Sequence, residues 1–142
     1  MNIIVAPFRK YAVFSGRSTR TEFWCFAVFF VLATMAANYF DAAGGVRRPI
    51  AGRFGTIELV VSLLLLLPIL SVGTRRLHDI GRSGWYLLLL AVPYIGWSMA
   101  QDNRSAELLS LGGVLLGFIA LVVLFLLPGD GEQNAYGASP RS

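Results

Sequence analysis

Cysteine, histidine and lysine are nearly missing from this sequence, which holds one of each: Cys25, His78 and Lys10. A single cysteine excludes an internal disulfide, and Cys25 lies in an apolar run where it reads as a small filler. A single histidine, with no Cys/His/Asp group at ligand spacing and no phosphate loop, gives no metal site and implies no cofactor. Charge is also scarce, at 14% of 142 residues, and it is absent from Phe23–Phe40, Leu59–Thr74, Ser83–Gln101 and Leu108–Gly129. Those runs are 18, 16, 19 and 22 residues long. They exclude a soluble globule, a disordered tail and a coiled coil. The alternating segments of barrel strands are missing. So is a basic stripe on a soluble domain, which argues against nucleic acid as a partner.

What is present is an apolar chain, 56% hydrophobic, with its charges gathered between four runs. A helix needs roughly 20 apolar residues to cross a bilayer core of ~30 Å. The expected fold is therefore all-α: a four-helix transmembrane bundle with a short N-terminal interfacial helix. One multi-pass domain covers residues 1–142, with spans near 20–40, 57–80, 84–103 and 108–127. A cleaved signal peptide fits poorly. The first run starts only at Phe23 and is followed by Asn38 and Asp41, not by a small-x-small site.

Local signals place the boundaries. Ile4, Phe8 and Tyr11 recur at helical spacing behind Pro7, with Phe14 one turn on and Gly16 as a stop. That stripe suits either a helix lying at the interface or one packed on the bundle end. Thr19–Glu22 is a capping box that starts the first span near Arg20. Asp41–Thr56, with Gly44, Gly45, Pro49, Gly52 and Gly55, reads as a loop. In the second span Pro68 frees a backbone carbonyl, and Gly81 ends the helix. Ser83 caps the third span. Trp85 and Tyr86 form one aromatic belt and Tyr94 and Trp97 the other, yet Trp85 to Trp97 is only about 18 Å of helix. Either that helix runs on to about Asn103, or the segment is short, tilted or re-entrant around Pro93 and Gly96. Pro128-Gly129 ends the fourth span. The tail's Asp130–Asn134 run lacks the ligand spacing of an EF-hand loop and reads as a turn.

The net charge is +4, from 11 arginines and one lysine against eight acids. Arg9, Lys10, Arg17, Arg20, Arg75, Arg76, Arg82 and Arg141 fall on one side of a four-span chain, and Arg47, Arg48, Arg53 and Arg104 on the other. The positive-inside tendency puts the N-terminus and the Arg75–Ser83 loop in the cytoplasm. A re-entrant third segment would exchange the tail with Arg104 and leave the balance unchanged.

The densest polar string is Arg75-Arg-Leu-His-Asp-Ile-Gly-Arg-Ser-Gly-Trp85. On a helix continuing to Ile80, Arg75, His78 and Asp79 share a face, and a carboxylate among guanidiniums is expected to bond to at least one of them. One reading is an interfacial anchor and charge network. The other is a site for anionic lipid headgroups or a protein partner, with Arg17, Arg20, Arg75, Arg76, His78, Asp79 and Arg82 as candidates. A catalytic His78–Asp79 pair is disfavoured, because neighbours on a helix point about 100° apart. No residue is assigned a catalytic role. Transport would call for ionisable groups at mid-membrane depth, and the helix centres are bare. Gly113 and Gly117 form a G-x-x-x-G face, and Ala33 and Ala37 a second small-residue pair, for packing within the bundle or between copies in a homo-oligomer. Gly81, Trp24 and Trp85 complete the packing candidates.

Four strings together resemble a known bacterial family, domain of unknown function 805. They are Phe14–Trp24, Arg75–Trp85, Pro93–Gly96 and Pro128-Gly129 with Asn134–Gly137. The resemblance implies a small multi-pass protein of the bacterial inner membrane and no particular activity. Its matching positions are Gly16, Arg17, Arg20, Trp24, Arg75, Arg76, His78, Asp79, Gly81, Arg82, Gly84, Trp85, Asn134, Tyr136 and Gly137. The combined expectation is a non-enzymatic membrane module whose cytoplasmic Arg/His/Asp face binds anionic lipid or a protein. The alternative is a small transporter or pore formed by an oligomer. A membrane enzyme using His78 and Asp79 comes third.

Overall fold

The computed structural model describes residues 5–45, 55–99 and 104–140. Among these the fold is helical, with a single isolated bridge between Asn134 and Gly137. The helices are α1 (Val5–Arg9), α2 (Arg20–Ala43), α3 (Thr56–Asp79), α4 (Leu88–Met99, entered through a 3-10 turn at Gly84–Leu87) and α5 (Arg104–Leu126). Three of them, α2, α3 and α5, are long and apolar enough to cross a membrane. The fourth expected span is shorter: α4 has 12 residues, about 18 Å, to which the 3-10 turn adds about 8 Å. Its proposed extension to Asn103 lies outside the described residues, as do most of the glycine-rich loop, Arg141 and the side chains of Tyr94 and Trp97.

The described chain falls into two compact units: Met1–Phe14 with Thr21–Val72, and Ser15–Arg20 with Gly73–Ser142. In the first, the N-terminal stripe yields a single turn of helix rather than one reaching Gly16, which corrects the expected interfacial helix. The segment is held by polar and aromatic contacts instead. Ala6 and Pro7 are buried, and Phe8 meets Phe26 and Phe29 edge-on at 5.4 and 5.7 Å. Pro68 cannot donate to the carbonyl of Leu64, and Tyr11 Oη donates to that oxygen. Ser71 Oγ lies 3.0 and 2.8 Å from the carbonyls of Lys10 and Val13, to which its hydroxyl donates. Turns that leave backbone groups to tertiary partners replaced the helix that periodicity alone favours.

The far end of α2 also runs on, through Asp41. That carboxylate, 2% exposed, accepts from the first amides of α3, Ile57 N at 3.1 Å and Glu58 N at 2.8 Å. It supplies the N-terminal cap from another helix. Gly55 leaves it the room, since a Cβ there would sit 2.1 Å from Asp41 Oδ2. Glu58 accepts from Asn38 Nδ2 at 2.7 Å.

In the second unit the end of α3 is a Schellman motif. Gly81 takes φ +67°, Arg82 N bonds Leu77 O at 2.9 Å, and Gly81 N bonds His78 O at 3.1 Å. Ser83 then caps the 3-10 turn, its Oγ accepting from Trp85 N at 3.4 Å. Helices α4 and α5 pack together, and Gly113 marks their close approach: a Cβ there would stand 3.1 Å from Pro93 Cβ. Gly117 is buried one turn on. In the first unit Trp24 is half-buried, edge-on to Phe23 at 5.2 Å. Trp85, expected to pack, is 77% exposed among the described residues.

Candidate functional site: a buried arginine–aspartate knot

The unusual feature of the second unit is what it buries. Arg17, Arg75, Arg76 and Asp79 are 7, 1, 0 and 1% exposed. Ions rarely leave water unless paired and fully hydrogen-bonded, and for Arg17, Arg76 and Asp79 the partners can be named. Asp79 Oδ1 accepts from Arg17, with Nη2 at 2.9 Å and Nε at 3.0 Å. Asp79 Oδ2 accepts from Arg76 Nη1 at 2.6 Å, an i, i+3 pair on the last turn of α3. Asp79 therefore makes the expected charge-assisted bonds. One is local and one spans 62 residues of sequence.

Backbone carbonyls take up further guanidinium protons of Arg17 and Arg76. Arg17 Nη1 donates to Glu132 O at 2.6 Å and Gly137 O at 3.3 Å, and Nη2 donates to Asp130 O. Arg76 donates to Phe125 O at 3.3 Å and to Leu127 O, and Arg20 Nε also donates to Leu127 O, at 2.9 Å. The last carbonyls of a helix lack internal partners and carry the negative end of its dipole. Two arginines at the end of α5 answer both needs. Backbone bonds complete the knot: Ser18 N to Arg75 O at 3.1 Å and Asp130 N to Asp79 O at 2.8 Å.

The tail is latched by residues outside the expected candidate set. Asn134 Nδ2 donates to His78 O at 2.9 Å and to Asp130 Oδ2 at 2.7 Å. The Tyr136 ring stacks on the His78 ring, 3.9 Å away and 6° from parallel. Gly129 is required by space, since a Cβ would lie 1.9 Å from Asp79 Oδ2. The signal for Asn134 and Tyr136 was the Asn-Ala-Tyr-Gly string, which pointed to the family without a role. Gly129 had read only as a helix stop.

The seven expected candidates thus separate. Arg17, Arg75, Arg76 and Asp79 are buried, and Arg17, Arg76 and Asp79 are engaged with one another and with backbone carbonyls. His78 is half-buried, with Nδ1 3.2 Å from Gly16 O. A carbonyl only accepts, so Nδ1 carries the proton. Since Asp79 is taken by two arginines and Nδ1 by Gly16, the pair needed for the enzymatic reading is not formed. Arg20 is half-buried and Arg82 is exposed, its Cζ 6.0 Å from the Tyr86 ring centre.

With this geometry in hand, comparison with known proteins adds identity. A family model described as a protein of unknown function, DUF805, matches residues 11–138. The inner membrane protein YhaH of Escherichia coli strain K12 is 37% identical over 89 residues, which are 63% of this chain and 72% of that protein. The inner membrane protein YhaI of the same strain is 28% identical over 141 residues, 99% of this chain and 97% of that protein. No solved structure gives a significant match.

Proposed function

Because the chain belongs to the DUF805 family, and because its relatives in Escherichia coli are inner membrane proteins, we propose that it is a non-enzymatic inner-membrane module whose cytoplasmic face binds anionic lipid headgroups. The observation that carries this reading is the division of labour among its cations. Arg17 and Arg76 hold the fold together through Asp79, while Arg9, Lys10 and Arg82 are left exposed. Exposed cations beside a bilayer attract anionic lipid by about 1 kcal/mol each.

The bond from Asp130 N to Asp79 O supports a four-span topology in which the tail and the end of α3 share one face, the face that the excess of basic residues assigns to the cytoplasm. It returns the end of α5 to the end of α3. If α5 crosses the bilayer, the chain between Ile80 and Asn103 has to cross in the other direction. Helix α4 with its 3-10 turn, about 26 Å, nearly matches the ~30 Å core.

The test is the lipid composition of polymer discs cut directly from the membrane around the full chain. Anionic lipid is expected to exceed its share in the bulk membrane. Changing Arg9, Lys10 and Arg82 to glutamine should return the composition to bulk. A wild-type disc with no enrichment would contradict the reading.

A further inference from the structure

Beside the turn into α4 lies an open groove of about 490 Å³, lined by Trp85, Tyr86, Leu88, Leu89, Val92 and Pro93. Its walls are apolar, and the helix that forms it belongs to the charge-free stretch Ser83–Gln101. At its mouth stands Arg82, whose guanidinium lies over the ring of Tyr86, a groove residue. Among the described residues no carboxylate pairs with Arg82, whereas Asp79 takes both Arg17 and Arg76.

We propose that this groove is a binding site for one anionic glycerophospholipid, its phosphate on Arg82 and one acyl chain along α4. The proposal rests on the lipid-binding reading above and narrows it to one place. Three observations fit the occupant. First, a guanidinium bonds phosphate oxygens in a bidentate fork, and an anionic headgroup has no ammonium of its own to oppose that cation, as choline and ethanolamine headgroups do. Second, Arg82 does not hang on a mobile loop. Gly81 at φ +67° turns the chain, Arg82 N is bonded to Leu77 O, and Gly84 abuts α3, where a Cβ would meet Thr74 Cγ2 at 2.6 Å. Third, the exposed Trp85 indole stands at the same turn, matching the headgroup depth at which tryptophan collects. Charge complementarity selects the headgroup, and the apolar wall selects a chain over a free anion.

The experiment uses the full chain in nanodiscs of phosphatidylcholine doped with phosphatidylglycerol, with retained lipids counted by native mass spectrometry. The wild type is expected to keep phosphatidylglycerol in preference. Arg82→Gln should lower that preference about fivefold. Val92→Trp should reduce retention of both lipids by filling the groove while leaving the cation in place. Both positions are exposed, so neither change threatens folding. If Arg82→Gln leaves the preference intact while the double variant Arg9→Gln, Lys10→Gln removes it, the groove proposal fails and the broader reading stands. If Val92→Trp retains lipid like the wild type, the groove is the wrong location. If the wild type shows no preference for phosphatidylglycerol, both readings fall.

Discussion

Asp79→Ala is the sharpest perturbation of the knot. It removes both carboxylate oxygens, the one 2.9 Å from Arg17 and the one 2.6 Å from Arg76, and leaves two guanidiniums that are 7 and 0% exposed. Breaking a buried ion pair costs about 3–5 kcal/mol, mostly as the desolvation of the stranded charge. Here the lower end applies. Arg17 keeps the carbonyls of Asp130, Glu132 and Gly137, and Arg76 keeps those of Phe125 and Leu127. A loss of about 3 kcal/mol is a large part of the 5–15 kcal/mol that holds a typical fold. For a chain of this size it corresponds to a fall in melting temperature of about 10 °C. The assay is thermal unfolding in mild detergent, followed by fluorescence-detected size exclusion. Glu132→Ala and Asp130→Ala are the controls, because those side chains are exposed and each should cost about 0.5–1 kcal/mol or less. A double-mutant cycle with Arg17→Ala should return a coupling of about 1–3 kcal/mol. Equal melting temperatures for the three alanine variants, or a coupling near zero, would refute the reasoning.

Other perturbations probe other contacts. Tyr11→Phe should destabilise by about 1–2 kcal/mol by orphaning the carbonyl of Leu64, and in a Pro68→Ala background, where residue 68 can donate to that carbonyl, the penalty should vanish; the same detergent melt checks it. Gly113→Leu should force α4 from α5 at its contact with Pro93 and cost folded yield, and the buried Gly117→Leu likewise. Full folding with reduced self-association would instead assign that face to a dimer. Asp41→Ala removes the cap of α3 and should cost about 1–2 kcal/mol. Gly129→Ala drives a methyl group into a carboxylate held by two arginines, so it should be far more harmful than Gly131→Ala, where a Cβ meets nothing within 4 Å.

How much of this was legible in the sequence depends on the range of each interaction. The start of α2 at Arg20, the stop at Gly81, the Ser83 cap and the pairing of Asp79 with a neighbouring arginine follow from spacings of four residues or fewer, and those spacings are written in the chain. The Arg17–Asp79 bond was within reach only because one face of the membrane gathers the polar segments. The role of the tail was not legible. Asn134 reaches the carbonyl of His78 across 56 residues, and Tyr136 stacks on the same residue's ring. No local pattern announces such a latch. Asp41 read as the start of a loop because its ligands, two amides of α3, lie 16 and 17 residues on. At the N-terminus, periodicity overstated the helix. A stripe at i, i+4, i+7 is also satisfied by a turn whose Lys10 and Val13 carbonyls accept from Ser71 and whose Tyr11 hydroxyl donates to Leu64 O.

The central claim is that the tail closes the knot on the cytoplasmic face, beside the Ser15–Arg20 segment and the end of α3. Single cysteines placed at the exposed positions Ala12, Ala43 and Ala138, in a background with Cys25 replaced by serine, test it through labelling with a membrane-impermeant maleimide. The account predicts that Ala43→Cys labels from the periplasm in spheroplasts. Ala12→Cys and Ala138→Cys should label only in inverted vesicles. Labelling of Ala138→Cys from the periplasm would put the tail on the opposite face from Asp79 and contradict the account.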